Sequence, residues 1–329
     1  MNTDQTICWG MIGCGSVTES KSAPAYQKVE GFELVAVMCR HLEKAKDYAD
    51  RHNIPKYYSN AQELINNPDV DAVYIATPPD SHLEYALMVA DAGKICCIEK
   101  PMAVCYNDAA KIQNAFSSRN LKLFIAYYRR CLPRFLQVKQ WLEDEKIGEV
   151  RHVSWSFCKP ASGQDLTKVY NWRTDSNIAP GGYFDDLASH GLDLIIFLLG
   201  EIQKVSGFGE NQSELYTSKD AIVASWVHES GATGSGFWNF GCEKAKDKLE
   251  ILGDSGIISL SVFSNEACVL DSAAFKEEVY IENPAPVQES FVQMIADDLY
   301  GRTVHVSSGD SGCHTSWVMS EILGIKRRL

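Results

Sequence analysis

The residues of this chain best suited to chemistry stand at the ends of apolar runs. Ile95–Ile98 is an apolar run that passes without a spacer into Glu99, Lys100 and Pro101. A carboxylate and an ammonium at the tip of a buried strand read either as a surface ion pair or as working groups. The proline ends the ladder at that point. A lysine lodged in a ligand site would be partly desolvated, which moves its pKa toward the range of a proton donor or acceptor. A second set, Asp186, His190 and Asp193, lies in the stretch GGYFDDLASHGLDL. That spacing places all three on one face of a helix. Such a face reads as a hydrogen-bonded structural feature or as a proton-handling group. Asp-x-x-x-His supplies only two metal ligands, and no metal is expected.

Gly13-x-Gly15 follows the first apolar run, with Ser16 and Val17 opening a helical stretch. Gly13 permits a tight turn, and Gly15 lets a pyrophosphate approach the backbone at a helix N-terminus. The third position is Thr18 rather than glycine or alanine, which weakens the helix–strand packing argument. Taken alone, the loop reads as a nucleotide cradle or as a plain turn. Where a NAD site usually places an acid for the ribose diol, this chain has Cys39 followed by Arg40. Arg40 would pair with a 2′-phosphate or stack on adenine, and the reading leans toward NADP(H) over NAD(H). Thr77, Pro78 and Pro79 force a turn over the same edge and would wall a cofactor, with His82 opening the next helix. Ser81-x-x-Glu84 fits a capping box for that helix.

These groups need a scaffold, and the pattern of apolar runs supplies one. Strands are expected at Thr6–Ile12, Phe32–Met38, Ala72–Ala76, Ile95–Ile98 and Leu121–Tyr127, separated by helical spacing. Strands alternating with helices imply a parallel sheet whose tips share one ligand-binding edge. Beyond a helix at Leu132–Glu145 the pattern changes. A loop-rich stretch, Lys159–Gly182, precedes a helix around Phe184–Leu199. Extended runs then follow near 203–210, 220–228, 232–240, 247–253, 256–261 and 276–281. The fold class is α/β: an N-terminal Rossmann-type doubly wound parallel sheet, then a C-terminal α+β domain with a mostly antiparallel open sheet. The expected boundaries are 1–127 for the dinucleotide-binding domain and 128–329 for the substrate-binding and oligomerisation domain.

Composition narrows the classes. The 329 residues carry a net charge of −12, which the basic end Lys326-Arg327-Arg328 does not offset, so no nucleic-acid partner is expected. Eleven cysteines without a C-x-x-C spacing argue against a disulfide scaffold or zinc ribbon. The start MNTDQTICWG lacks the pattern of a signal peptide, and no apolar run reaches the roughly 20 residues of a membrane span. The expectation is a cytoplasmic protein with no membrane partner.

The glycine loop, ATPPDSH, EKP, AYYRR, YNWR and GGYFDDLASHGLDL occur in one order. Together they resemble the Gfo/Idh/MocA family of pyridine-nucleotide oxidoreductases over nearly the whole chain. The resemblance implies that Asp186 and His190 face Lys100 across an active-site cleft. Lys100 or His190 then exchanges the proton of a reacting hydroxyl while hydride passes to or from nicotinamide, and Asp186 orients the substrate or His190. Glu99 becomes a neighbour of the nicotinamide. Tyr128, Trp172 and Arg173 join the substrate side: Arg173 binds a substrate oxygen or ties the domains together, and Trp172 covers the nicotinamide or a sugar ring. The expected substrate is a sugar, polyol or related small carbinol. Two alternatives share the fold: a glycosidase that uses NAD for transient oxidation, and a non-catalytic cofactor-sensing regulator. The resemblance also implies a homodimer or homotetramer through the C-terminal sheet, where SWVHESGATGSGFWNF holds Trp and Phe for burial against another subunit.

Overall fold

The computed structural model describes residues 6–325. The basic end and the first five residues, on which the charge and signal-peptide readings partly rest, lie outside the described residues. The chain forms two compact units. One comprises the chain up to Ala103, Asn107–Cys131 and Pro284–Cys313; the other takes Val104–Tyr106, Leu132–Asn283 and the chain from His314. The late segment Pro284–Cys313, which the sequence reading assigned to the second domain, packs in the first.

The first unit is built on six parallel strands. These are β1 (Ile7–Ile12), β2 (Phe32–Met38), β3 (Lys56–Tyr58), β4 (Ala72–Ile75), β5 (Ile95–Ile98) and β6 (Leu123–Ile125), in the order 3-2-1-4-5-6. Strand β5 shows why near-continuous apolar runs belong here. Cys97 packs with Trp9, Tyr74 and Phe124 on one face, while Cys96 packs with Val73, Ala86 and Ile112 on the other. The helix Glu289–Leu299 covers the first of these faces through Phe291, Val292 and Ile295. Strand β3 was not anticipated: only three residues long, it is held by its pairing with the end of β2.

The capping box expected at Ser81 does not form. Ser81 closes a 3₁₀ turn, Pro79–Ser81, and its hydroxyl bonds back to Thr77 Oγ1 at 2.8 Å and to the Pro78 carbonyl at 2.9 Å. The prolines hold the chain in that turn, so the side chain satisfies groups behind it rather than the helix ahead.

The second unit carries eight strands. They are β7 (Val150–Cys158), β8 (Ile202–Glu210), β9 (Ala221–His228), β10 (Thr233–Asn239), β11 (Lys246–Gly253), β12 (Gly256–Leu260), β13 (Cys268–Ser272) and β14 (Lys276–Val279). Their order is 14-13-12-11-7-10-9-8, antiparallel except where β10 runs parallel to β7. The helix Ser189–Leu199 approaches this sheet without an intervening side chain: a Cβ at Gly191 would lie 2.2 Å from the Trp155 ring. The alternation of the strands corrects the reading of SWVHESGATGSGFWNF. Trp226 and Trp238 point into the unit's own core and are 3% and 0% exposed. The opposite face carries Phe208, Val223 and Phe237, register neighbours across β8, β9 and β10 and all exposed. All eleven cysteines are free thiols, and among the described residues no helix is long and apolar enough to cross a membrane.

Candidate functional site

In the first unit, backbone hydrogen bonds carry the ladder one residue past the strand ends. Gly13 N–H donates to Met38 O, Ala76 N–H to Ile12 O, Glu99 N–H to Ile75 O, and Ala126 N–H to Ile98 O, each at 2.8 Å. The glycine loop, the Thr77 turn, the Glu99-Lys100 pair and the run into Tyr128 therefore leave the sheet side by side. Gly13 has φ +113°, and a Cβ there would meet the Ala76 carbonyl oxygen at 2.5 Å. Only glycine fits this turn. A Cβ built at Gly15 meets no atom of the described residues within 4 Å, which leaves the backbone there open to a ligand. Thr18 resolves its own departure from the motif: it is fully buried and its hydroxyl donates to Gly15 O at 2.8 Å, closing the turn from beneath. Ser16 and Val17 begin the short helix after the loop, and Arg40 is exposed beyond the tip of β2 with Cys39 half-buried before it.

Not every residue expected to touch a cofactor has surface to offer. Thr77, Pro78 and Lys100 are half-buried, whereas Pro79, His82 and Glu99 are buried. His82 is a strap between two strand tips, with Nε2 2.8 Å from Thr77 O and Nδ1 3.1 Å from Pro101 O. Burial holds its imidazole below the ordinary pKa, and a neutral ring donates to one of these carbonyls only. Glu99 lies beneath the edge, where its Oε1 accepts the Tyr74 hydroxyl at 2.7 Å and Gln288 Nε2 at 2.9 Å. Arg130, two residues after Tyr128, donates to Val306 O at 2.8 Å, a tie within the first unit.

The second unit gathers another cluster. Trp172 and Arg173 sit on a 3₁₀ turn in the long loop, and Arg173 Nε donates to Asp186 Oδ2 at 2.9 Å while its guanidinium lies 4.4 Å from the Trp172 ring centroid. Three residues expected on the substrate side are thus brought together, with the arginine and the carboxylate holding each other. Asp186 lies in a π-helical turn, Phe184–Ala188, that leads into the helix carrying His190. The wider turn displaces the regular four-residue spacing on which a shared face was expected. Asp193 belongs to the interior: it is fully buried and accepts the Thr315 hydroxyl at 3.0 Å. His190 is 5% exposed, with the Phe263 ring edge-on at 6.1 Å. Phe263 is in turn fixed by its N–H to Asp247 Oδ2 at 2.6 Å.

The sequence reading overlooked Asp185, which is buried beside Asp186 and accepts the Gly181 N–H at 2.7 Å. The doublet in FDDL was the available signal: adjacent helical side chains point about 100° apart, so where the helix is apolar on most sides one of two neighbouring acids can turn inward. A cavity of about 400 Å³ adjoins the long loop, lined by Asp165, Tyr170, Asn171, Asp175 and Tyr216 among others.

The chain matches the family model described as an oxidoreductase family with an NAD-binding Rossmann fold over residues 7–127, and the GFO/IDH/MocA C-terminal domain over residues 135–259. It is 36% identical over 291 residues to oxidoreductase P35 of Formosa agariphila, covering 88% of this chain and 90% of that one. It is 26% identical over 230 residues to levoglucosan dehydrogenase of Pseudarthrobacter phenanthrenivorans, covering 68% and 54% of the two chains. Among solved structures, a levoglucosan dehydrogenase in complex with NADH and levoglucosan shares the fold, with a TM-score of 0.82 at 22% identity over 97% of this chain and 96% of that one.

Asp185 yields a test of the second cluster. Burial, reinforced by the neighbouring Asp186 charge and opposed by the Gly181 N–H, raises its carboxyl from 3.8 to about 7. The native state then binds this proton more tightly than the unfolded state, so its stabilising effect is full below about pH 4 and is lost as pH rises through about 7. Asp185→Asn removes the ionisation and keeps an acceptor for Gly181. In urea unfolding, the stability of this variant relative to wild type should rise by up to about 4 kcal/mol between pH 4 and pH 8. A difference that stays flat across this range would show that Asp185 does not titrate there.

Proposed function

The chain belongs to the Gfo/Idh/MocA family of oxidoreductases, and from that premise we propose that it passes hydride between a pyridine nucleotide and the carbinol or carbonyl carbon of a sugar, polyol or related small molecule. It is an NAD(P)-dependent dehydrogenase or reductase acting on CH–OH groups. The observation that carries the site assignment is the aligned edge of the first unit, where Lys100 leaves the sheet two strands from a glycine turn that only glycine can make, with the Thr77 turn between them. The similarity to a levoglucosan dehydrogenase supports the sugar class.

Oxidising a carbinol removes a hydride and a proton. The nucleotide, when bound, supplies the hydride chemistry, and the protein supplies binding, orientation and the proton path. Gly13, Gly15, Ser16 and Val17 would cradle its phosphates, and Thr77 and Pro78 would wall it. We assign proton transfer to Lys100, which keeps more exposed surface than His190, and give His190 the role of holding the reacting oxygen. Arg173, held by Asp186, would present its remaining N–H groups to substrate hydroxyls, with Trp172 against the ring. Substrate choice would lie in the Lys159–Gly182 loop. Arg40, exposed beyond β2 with no carboxylate at positions 39–41, favours NADP(H). The apolar row Phe208, Val223 and Phe237 favours association of two copies through the second-unit sheet.

Lys100→Ala should lower kcat by about 10²–10⁴-fold on the best substrate from a sugar and polyol screen, with nucleotide affinity little changed. A variant that turns over at the wild-type rate would remove Lys100 from the proton path. Titration by nicotinamide fluorescence should show tighter binding of NADPH than of NADH, and the reverse order would defeat the argument from Arg40. Light scattering should give a mass of at least two chains that falls on Phe237→Glu. The mass of a single chain for the wild type would end the association proposal.

A further inference from the structure

The buried Glu99 carboxylate has a set of donors that the proton-transfer reading leaves unexplained. Its Oε1 accepts the Tyr74 hydroxyl at 2.7 Å and Gln288 Nε2 at 2.9 Å, and its Oε2 accepts the backbone N–H of Lys100 at 3.2 Å. We propose that Tyr74 and Gln288 are positioning residues for Lys100, acting through the Glu99 carboxylate. The proposal rests on the assignment of Lys100 to the reaction.

A carboxylate is planar, so two bonds that fix Oε1 also fix where Oε2 points. Here Oε2 points at the peptide that carries Lys100, and holding the carboxylate holds that peptide. Charge-assisted bonds to a buried acceptor are the strong kind, and they are rigid because neither partner has water to turn to. Both donors are themselves held. Tyr74 lies in β4 with its ring 5.0 Å from that of Tyr26, and burial keeps its hydroxyl protonated, so it remains a donor. Gln288 is 1% exposed at the N-cap of the helix Glu289–Leu299, whose apolar face is part of the same core.

Gln288 adds an independent sign. Its own amide oxygen is buried and has no hydrogen-bond partner among the described residues. A buried acceptor left unmade is unfavourable, so the amide is not oriented for its own satisfaction. It is oriented for Glu99, which lies 189 residues earlier in the chain. An apolar residue would fill the same space without that cost, but would release Oε1.

Tyr74→Phe and Gln288→Leu, made singly in the full chain, test the proposal by two routes. Trace labelling with acetic anhydride, followed by peptide mapping, reads the environment of each lysine without substrate or nucleotide. Lys100 should change its labelling rate by about threefold or more in both variants while the other lysines keep theirs, and kcat should fall about tenfold with KM within about twofold. Unchanged labelling of Lys100 together with unchanged kcat in folded Tyr74→Phe would overturn the proposal. That variant removes a single oxygen, so it decides the matter should Gln288→Leu fail to fold. Lys100→Ala separates the two readings. If it retains wild-type turnover, the assignment of Lys100 fails. If it is inactive while both positioning variants turn over normally, this inference alone fails.

Discussion

Four backbone hydrogen bonds at the ends of the parallel strands set the geometry on which the first cluster depends. Each runs from the first residue beyond one strand to the last carbonyl of its neighbour: Gly13 to Met38, Ala76 to Ile12, Glu99 to Ile75 and Ala126 to Ile98. Side chains contribute nothing to these bonds, yet they decide which side chains stand in a row. A parallel sheet has a common direction, so extending the ladder by one rung aligns loops that are far apart in sequence. Gly13 is there because the turn leaves no room for a Cβ against Ala76, and Pro101 because the chain must stop where the pairing stops.

Polar groups beneath that edge follow a consistent logic. His82 spans two carbonyls from neighbouring strand tips, and Glu99 gathers a hydroxyl, an amide and a peptide N–H. Each buried group is placed where it restrains backbone that reaches the surface. The second unit follows the same rule less comfortably. Asp185 receives the Gly181 N–H, but burial and the charge of Asp186 work against its ionised form. The Gly181-Gly182 turn is thus anchored by a group whose charge is unfavourable at neutral pH.

Much of this was legible from local pattern. Strands β2 and β5 fall where their apolar runs lie, since a strand buried on both faces advertises itself by composition alone. Strand β3 did not, because Lys56–Tyr58 is half-buried at best and is extended only by its partner. Ser81 carried a helix-capping pattern that the preceding prolines overrode. Of the candidate site, type and spacing singled out Lys100, Asp186, His190 and the glycines, the family resemblance supplied the roles proposed for them, and neither could reach the groups that support them. Nothing in the sequence near Gln288 points to Glu99, and a pairing of Arg173 with Asp186 needs the path of a long loop that has no period to read. The Trp and Phe residues of β9 and β10 were read together, yet adjacent residues of a strand face opposite ways: Trp238 is core and Phe237 is surface.

The contact between Gly191 and the Trp155 ring has a meaning for how such a protein can diversify. The residue after His190 has no room for even a methyl group, and the ring beneath it is tied through Nε1 to Asp247 at 3.0 Å. Mutational drift at that spot is closed off, so the imidazole rides on a platform whose height over the sheet is inherited rather than tuned. The Lys159–Gly182 segment, by contrast, bears exposed Leu166, Val169 and Tyr170 and can exchange them at small cost to the fold. Sequence change in the second unit therefore finds room in that loop and none at Gly191.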